Sequence, residues 1–142
     1  MADAKTLKTK LASGEFDARL KEVYLSDKAV EDQKERDAAI IDEFVKLFGD
    51  NDSIELFSAP GRTEVGGNHT DHNHGKVLAA SVDLDTVAAA AKRDDGIIVE
   101  KSFKFDALEV DITDLEVHTE EFGKSSGLIR GMCAGFKEHG YN

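Results

Sequence analysis

The first third of the chain carries apolar side chains at helical spacing, and most of the remainder carries short runs typical of strands. The helical pattern extends from residue 3 to about residue 48, with breaks at Gly14 and at the Ser26-Asp27 pair, and Gly49 ends it. Another helix is predicted over residues 126–138. Because helices and closely spaced strands are segregated along the chain, we predict an α+β fold with helices packed on a mixed or antiparallel sheet.

The runs typical of strands lie between these two helical regions. Residues 61–75 have no apolar periodicity and are predicted to form a loop, or a loop that enters a helix. Asp94-Asp95-Gly96 is typical of a hairpin turn. The only proline, Pro60, is expected to end the first strand. We predict strands over residues 53–59, 77–82, 86–92, 97–105 and 108–112.

Charge and cysteine content restrict the partner and the compartment. The 142 residues carry a net charge of −11, and nucleic acids and membrane surfaces are themselves anionic, so we expect neither as a partner. Cys133 is the only cysteine and has no intrachain partner for a disulfide. Residues 1–10 are polar, unlike a signal peptide, and no apolar run approaches the length of a membrane span. We therefore expect a cytoplasmic protein with a small-molecule or protein partner.

Residues 59–75 concentrate the candidate binding side chains. This segment, APGRTEVGGNHTDHNHG, sets polar and charged residues between glycines. Glycine lets a backbone approach a ligand closely, carboxylate and amide oxygens accept hydrogen bonds from hydroxyl groups, and arginine supplies a fixed positive charge. The composition favours a site for a ligand rich in hydroxyl groups. The segment contains one arginine, one glutamate, one aspartate, two asparagines and three histidines.

The same segment resembles the first motif of the galactokinase family, which belongs to the GHMP superfamily of small-molecule kinases. That motif reads Gly-Arg-x-Asn-aliphatic-Ile-Gly-acid-His-x-Asp-Tyr and follows a strand that ends in Ala-Pro. The resemblance implies the ribosomal protein S5 domain 2-like fold of the N-terminal domain of these kinases. The positions that match are Gly61, Arg62, Gly67, His69 and Asp71, with Ala59-Pro60 before them and Gly75 after them.

The resemblance also implies an activity and a role for each matching residue. The activity is ATP-dependent phosphorylation of galactose at its anomeric hydroxyl, which gives galactose 1-phosphate and ADP and uses Mg²⁺. Arg62 would be catalytic, near the transferred phosphoryl group or its acceptor hydroxyl, where positive charge stabilises the reaction. The substrate-binding residues would be Arg62, Glu64, Asn68, His69 and Asp71.

Four positions depart from the family motif. Glu64 stands in place of Asn, Gly66 in place of Ile, Asn68 in place of an acid, and His72 in place of Tyr. The acid and the amide have exchanged places between positions 64 and 68, so we hypothesise that Glu64 supplies the carboxylate of the loop. Two alternatives stay open: a kinase for a related sugar such as N-acetylgalactosamine, and a non-catalytic sugar sensor related to galactokinase.

The ATP-binding parts of the family have no counterpart in the sequence. The family's Gly-Leu-Ser-Ser-Ser phosphate loop is absent, and Gly123-Lys124-Ser125 is no Walker loop because His118 stands where that loop requires glycine. We therefore interpret residues 1–142 as an incomplete N-terminal sugar-binding domain, without the ATP loop and the C-terminal domain. We expect this chain alone to bind neither ATP nor Mg²⁺ tightly, to have no kinase activity, and to self-associate through exposed apolar surfaces.

Two further interpretations of the motif compete with a sugar site. The histidines and the aspartate of residues 69–74 are residue types that bind Zn²⁺, which would make the chain a metal-binding module. A metal site does not need the Pro and Gly residues that frame this segment, so we predict no metal. Arg62 could also be a purely structural partner of Glu64 or Asp71.

Overall fold

The computed structural model describes residues 2–67 and 70–141, with only the backbone of Asp71. The chain divides into two compact units, Met1–Lys92 and Arg93–Asn142. The helices are α1 (Ala4–Ser13), α2 (Asp17–Tyr24), α3 (Asp27–Phe48) and α4 (Ser125–Glu138), and the strands are β1 (Glu55–Gly66), β2 (Leu78–Ala90), β3 (Ile97–Glu100) and β4 (Leu108–Asp111). Short 3-10 helices lie at Asp71–Asn73 and Thr119–Glu121.

The three N-terminal helices begin and end where local chemistry favours it. The carboxylate of Asp3 accepts a hydrogen bond from the backbone N–H of Thr6 at 2.7 Å and caps α1. The hydroxyl of Ser26 accepts from the N–H of Ala29 at 3.1 Å and caps α3 in the same way. The predicted helix breaks at Gly14 and Ser26-Asp27 are therefore confirmed, and so is the end of the helical region before Gly49.

The apolar core of the first unit joins α1, α3 and the chain just before β1. The side chains of Ile41 and Ile54 are fully buried there. Leu56 and Ala89 pack against the same core, so the open end of the β1–β2 hairpin rests on the helices. The other buried members are Ala4, Leu7 and Leu11 of α1.

The β1–β2 hairpin is longer and more continuous than the sequence predicts. Its strands pair antiparallel from Glu55↔Ala90 to Gly66↔Leu78. The predicted strand end at Pro60 and the predicted loop over residues 61–66 are therefore wrong, and the two strands predicted over residues 77–82 and 86–92 are one. Proline fits here because the sheet has two strands, so each has an open edge where a missing N–H costs nothing.

The second unit contains β3, β4 and α4. β3 pairs antiparallel with β4 from Ile97↔Asp111 to Glu100↔Leu108. A hairpin at residues 94–96 would pair β2 with β3. Because β2 pairs with β1 and β3 pairs with β4, the predicted hairpin is wrong. The Arg130 side chain of α4 makes two hydrogen bonds to the Glu121 carboxylate, at 2.8 and 3.0 Å. It also donates to the backbone carbonyl of Asp111 at 2.7 Å and to that of Asp114.

The predicted fold class is confirmed. Helices combine with two antiparallel sheets of two strands each in the part of the chain that the structure describes. Across residues 2–67 and 70–141, no helix combines the length and the apolar character that a membrane span requires.

Candidate functional site

Two of the predicted site residues project from one face of β1. Arg62 pairs with Ser81 and Glu64 pairs with Ala79, with an unbroken ladder between them. Because side chains alternate across a strand, Arg62 and Glu64 share a face, and both are exposed. The interpretation of Arg62 as a purely structural partner of Glu64 or Asp71 stays a prediction.

Thr70 organises the loop that follows β1. Its hydroxyl donates a hydrogen bond to the carbonyl of Gly67 at 2.8 Å. Its own carbonyl accepts from the backbone N–H of Asn73 at 3.0 Å and from that of Gly75 at 2.8 Å. These bonds close the loop on itself, with the 3-10 helix of Asp71–Asn73 inside it. The sequence interpretation missed Thr70, although a threonine inside a glycine-rich turn is a known loop-forming signal.

The motif glycines at the two ends of this loop meet other parts of the loop at close range. Gly67 has φ +105°, and a Cβ there would lie 2.4 Å from the carbonyl oxygen of Lys76. A Cβ on Gly75 would lie 2.0 Å from Oγ1 of Thr70. Neither position has room for a side chain, and the first also has a backbone conformation that favours glycine. The sequence interpretation assigns these glycines to the close approach of a ligand. In the structure they instead allow other atoms of the same loop to come close.

The remaining predicted site residues are placed only in part. Asn68 and His69 lie outside the described residues, and Asp71 is described only as the first residue of the 3-10 helix. His72 and His74 are exposed. Among the residues that the structure does describe, no three His, Cys, Asp or Glu side chains are grouped as metal ligands would be.

A buried carboxylate lies opposite Pro60, two residues before Arg62 in β1, and the sequence interpretation did not identify it. Asp85 of β2 pairs with Pro60 of β1, and its side chain is only 4% exposed. It accepts hydrogen bonds from Ser58, Tyr24 and Arg36. Burial by itself raises the pKa of Asp85, but these hydrogen bonds outweigh burial and hold the pKa below its usual value. The strands predicted over residues 77–82 and 86–92 leave Asp85 between them, so the sequence interpretation assigned it no role.

A concave surface lies in the unit of residues 93–142. This cavity of about 630 Å³ borders the beginning of α4, and no predicted site residue lines it. Lys124 and Ser125, which belong to the rejected Walker-like sequence, are among its lining residues, together with Phe122 and Leu128.

These features place a polar, glycine-framed loop at the end of a hairpin and an exposed arginine on the adjoining strand. Comparison with known families shows what this arrangement is similar to. Residues 42–92 match the galactokinase galactose-binding signature. The matched range contains the end of α3, all of β1, the loop and all of β2.

Curated relatives give the same family. The chain is 34% identical over 107 residues to a galactokinase of Lactococcus lactis subsp. cremoris, covering 73% of this chain and 26% of that protein. It is 31% identical over 101 residues to a galactokinase of Bacillus subtilis, covering 69% and 25% respectively. The chain spans about a quarter of the length of these relatives. No solved structure matches it. Over the part that these matches cover, the chain belongs to the galactokinase family.

Proposed function

We propose that this chain is the galactose-binding part of a galactokinase that phosphorylates galactose at its anomeric hydroxyl. The observation that carries the proposal is the position of the matched signature. It spans the hairpin and the loop that hold the candidate residues. We further propose that this hairpin and its helices belong to a domain of the ribosomal protein S5 domain 2-like fold. The whole protein would then be a GHMP kinase that works in the cytoplasm.

Each candidate residue has a chemical role in this proposal. The exposed guanidinium of Arg62 would lie near the acceptor hydroxyl and stabilise the negative charge that develops during phosphoryl transfer. Glu64 shares its face of β1 and would accept hydrogen bonds from sugar hydroxyl groups. Asn68, His69 and Asp71 would complete the set of sugar contacts from the loop. A site whose polar groups are matched to each hydroxyl discriminates against sugars that lack one.

We assign the ATP and Mg²⁺ sites to sequence outside the matched segment, which covers about a quarter of each curated relative. The contribution that we propose for this chain is to bind and orient the sugar. A coupled assay for ADP release should accordingly detect no galactose-dependent turnover by the 142 residues alone, and turnover would contradict that assignment.

Calorimetric titration with sugars tests the proposed ligand. We expect galactose to bind, and Arg62→Ala to weaken binding about tenfold or more because a charged contact is lost. Arg19→Ala is the matched control, since Arg19 is an exposed arginine of α2 that pairs with Glu22. Glucose and N-acetylgalactosamine are the comparison ligands. Absence of galactose binding, or an equal effect of both arginine substitutions, would count against the proposal.

A further inference from the structure

Asp85 lies at an irregularity of the hairpin immediately beside Arg62. Pro60 pairs with Asp85, but Arg62 pairs with Ser81, so residues 82–84 of β2 face the single residue Gly61. Such a bulge bends a strand and redirects the side chains next to it. The strands are also close there, because a Cβ on Gly61 would lie 3.1 Å from the carbonyl oxygen of Leu84. The direction of Arg62 therefore depends on what holds this bulge.

The groups that hold it come from three other elements. Tyr24 at the end of α2 and Ser58 of β1 each donate a hydroxyl hydrogen bond to the Asp85 carboxylate at 2.5 Å. Arg36 of α3 donates to the same carboxylate and, at 2.9 Å, to the backbone carbonyl of Asp85. We name these four residues the Asp85 network.

The network attaches a part of the hairpin that has no apolar support on β1. From Phe57 to Gly66, every residue of β1 is exposed. The hydrogen bonds that the structure describes from α2 and α3 to the hairpin all converge on Asp85 and Ser58. The Asp85 side chain is 4% exposed, and charge-assisted hydrogen bonds at a buried carboxylate are stronger and more directional than neutral ones. The bulge is therefore held to the helices by the hydrogen bonds of the Asp85 network.

We propose that the Asp85 network sets the direction of the Arg62 side chain, so that Asp85 is a positioning residue for the sugar site. Asp85 does not touch the ligand and acts through the Pro60–Arg62 backbone. The role of Arg62 in binding sugar rests on the proposed function above. The direction of Arg62 itself does not depend on that function and can be measured without ligand.

The first test is an NMR comparison of the full chain without sugar. In Asp85→Asn, we expect the backbone amide signals of residues 61–64 to shift and the Arg62 side chain to become more mobile. Asp52→Asn is the control, since Asp52 is an exposed acid in the turn before β1, outside the bulge, and the substitution removes the same charge. If Asp85→Asn lowers stability but leaves the Arg62 signals unchanged, the inference is wrong.

A milder variant keeps the test informative if Asp85→Asn fails to fold. Tyr24→Phe removes a single donor to Asp85 and keeps the aromatic ring. We expect smaller shifts at the same amides, and unchanged Arg62 signals in this folded variant would overturn the inference.

The second test is a double-mutant cycle read by galactose affinity. We expect Asp85→Asn to weaken binding about tenfold, as small misplacements of a binding group do. The same change in an Arg62→Ala background should have almost no effect, because Asp85 then has nothing to position. Additive effects would mean that Asp85 supports only the fold, which contradicts the inference. Failure of the unsubstituted chain to bind galactose would count against the proposed function, while the NMR comparison would still decide the role of Asp85.

Discussion

Thr70 and Gly75 approach so closely that a Cβ on the glycine would lie 2.0 Å from Oγ1 of the threonine. The same threonine bonds to the carbonyl of Gly67 through its hydroxyl, at 2.8 Å, and to the N–H of Gly75 through its carbonyl, also at 2.8 Å. Among the residues that the structure describes, backbone hydrogen bonds and the side chain of Thr70 thus hold the loop that carries the candidate sugar contacts.

Gly75→Ala should disrupt this loop. An added methyl group must displace Thr70. Forcing extra atoms into a packed position costs about 1–3 kcal/mol of stability. We expect galactose affinity to fall about tenfold while far-UV circular dichroism is unchanged, because only the loop is altered. Calorimetric titration measures the affinity.

Gly131→Ala is the control for the glycine substitution. Gly131 lies within α4, and a Cβ there would meet nothing within 4 Å. Alanine in a helix is more stable than glycine by roughly 0.5–1 kcal/mol, so this variant should be more stable and bind galactose normally. Equal losses of affinity in the two variants would show that the Thr70–Gly75 contact does not organise the site.

Ile41→Ala should destabilise the first unit. Ile41 is fully buried where α1, α3 and the segment before β1 meet, and removing such a side chain costs about 2–5 kcal/mol. Chemical denaturation measures the loss. Leu128→Ala is the control, since Leu128 is 67% exposed and its truncation should change stability by about 0.5 kcal/mol or less. Similar losses at both positions would contradict the described core.

Asp85 and Asp37 should give opposite pH dependences of stability. The pKa of Asp85 is lowered, because its hydrogen bonds outweigh the burial that opposes them. Its contribution is therefore fully present above the usual value of 3.8 and is lost as pH falls through the folded-state pKa. Burial raises the pKa of Asp37, whose carboxylate accepts from Gln33 at 2.7 Å. The ionised form of Asp37 therefore destabilises the folded chain. This cost is fully present above the raised pKa of Asp37 and is lost as the pH falls to the usual value of 3.8.

Matched substitutions by asparagine separate these two effects. Asp85→Asn should be less stable than the unsubstituted chain by about 2 kcal/mol at pH 7, with the difference narrowing below the usual carboxyl pKa. Measured against the unsubstituted chain, Asp37→Asn should gain more stability at pH 7 than at pH 4, because it removes the cost of ionising a buried carboxyl group. Urea denaturation across this pH range measures both. Parallel pH profiles for the two variants would contradict the assignment.

Self-association is expected from the apolar surface of the chain. Large apolar side chains stand exposed on β1, β2 and α4, among them Phe57, Leu84 and Phe136, at 53%, 76% and 55% exposure. Exposed apolar groups and open strand edges favour contact with a second copy. Sedimentation velocity should show a concentration-dependent shift to a larger species, and a single monomeric species at every concentration would contradict the expectation.

The helices were predictable from sequence because their signals are local. Gly14 and Ser26 mark the helix ends by their own chemistry, and the apolar spacing of α3 persists over 22 residues. The continuity of the hairpin was not predictable, since the strand runs through Pro60 and Gly61 only because β2 supplies a partner across a bulge. Asp85 was missed for a related reason. Its partners on α2, α3 and β1 lie 61, 49 and 27 residues away in sequence.

NMR titration of the isotope-labelled chain with galactose tests whether the loop between the two long strands binds the sugar. We predict saturable shifts of the amide signals between Arg62 and Gly75, with no comparable change in the unit of residues 93–142. The absence of any saturable shift, or shifts confined to that second unit, would contradict it.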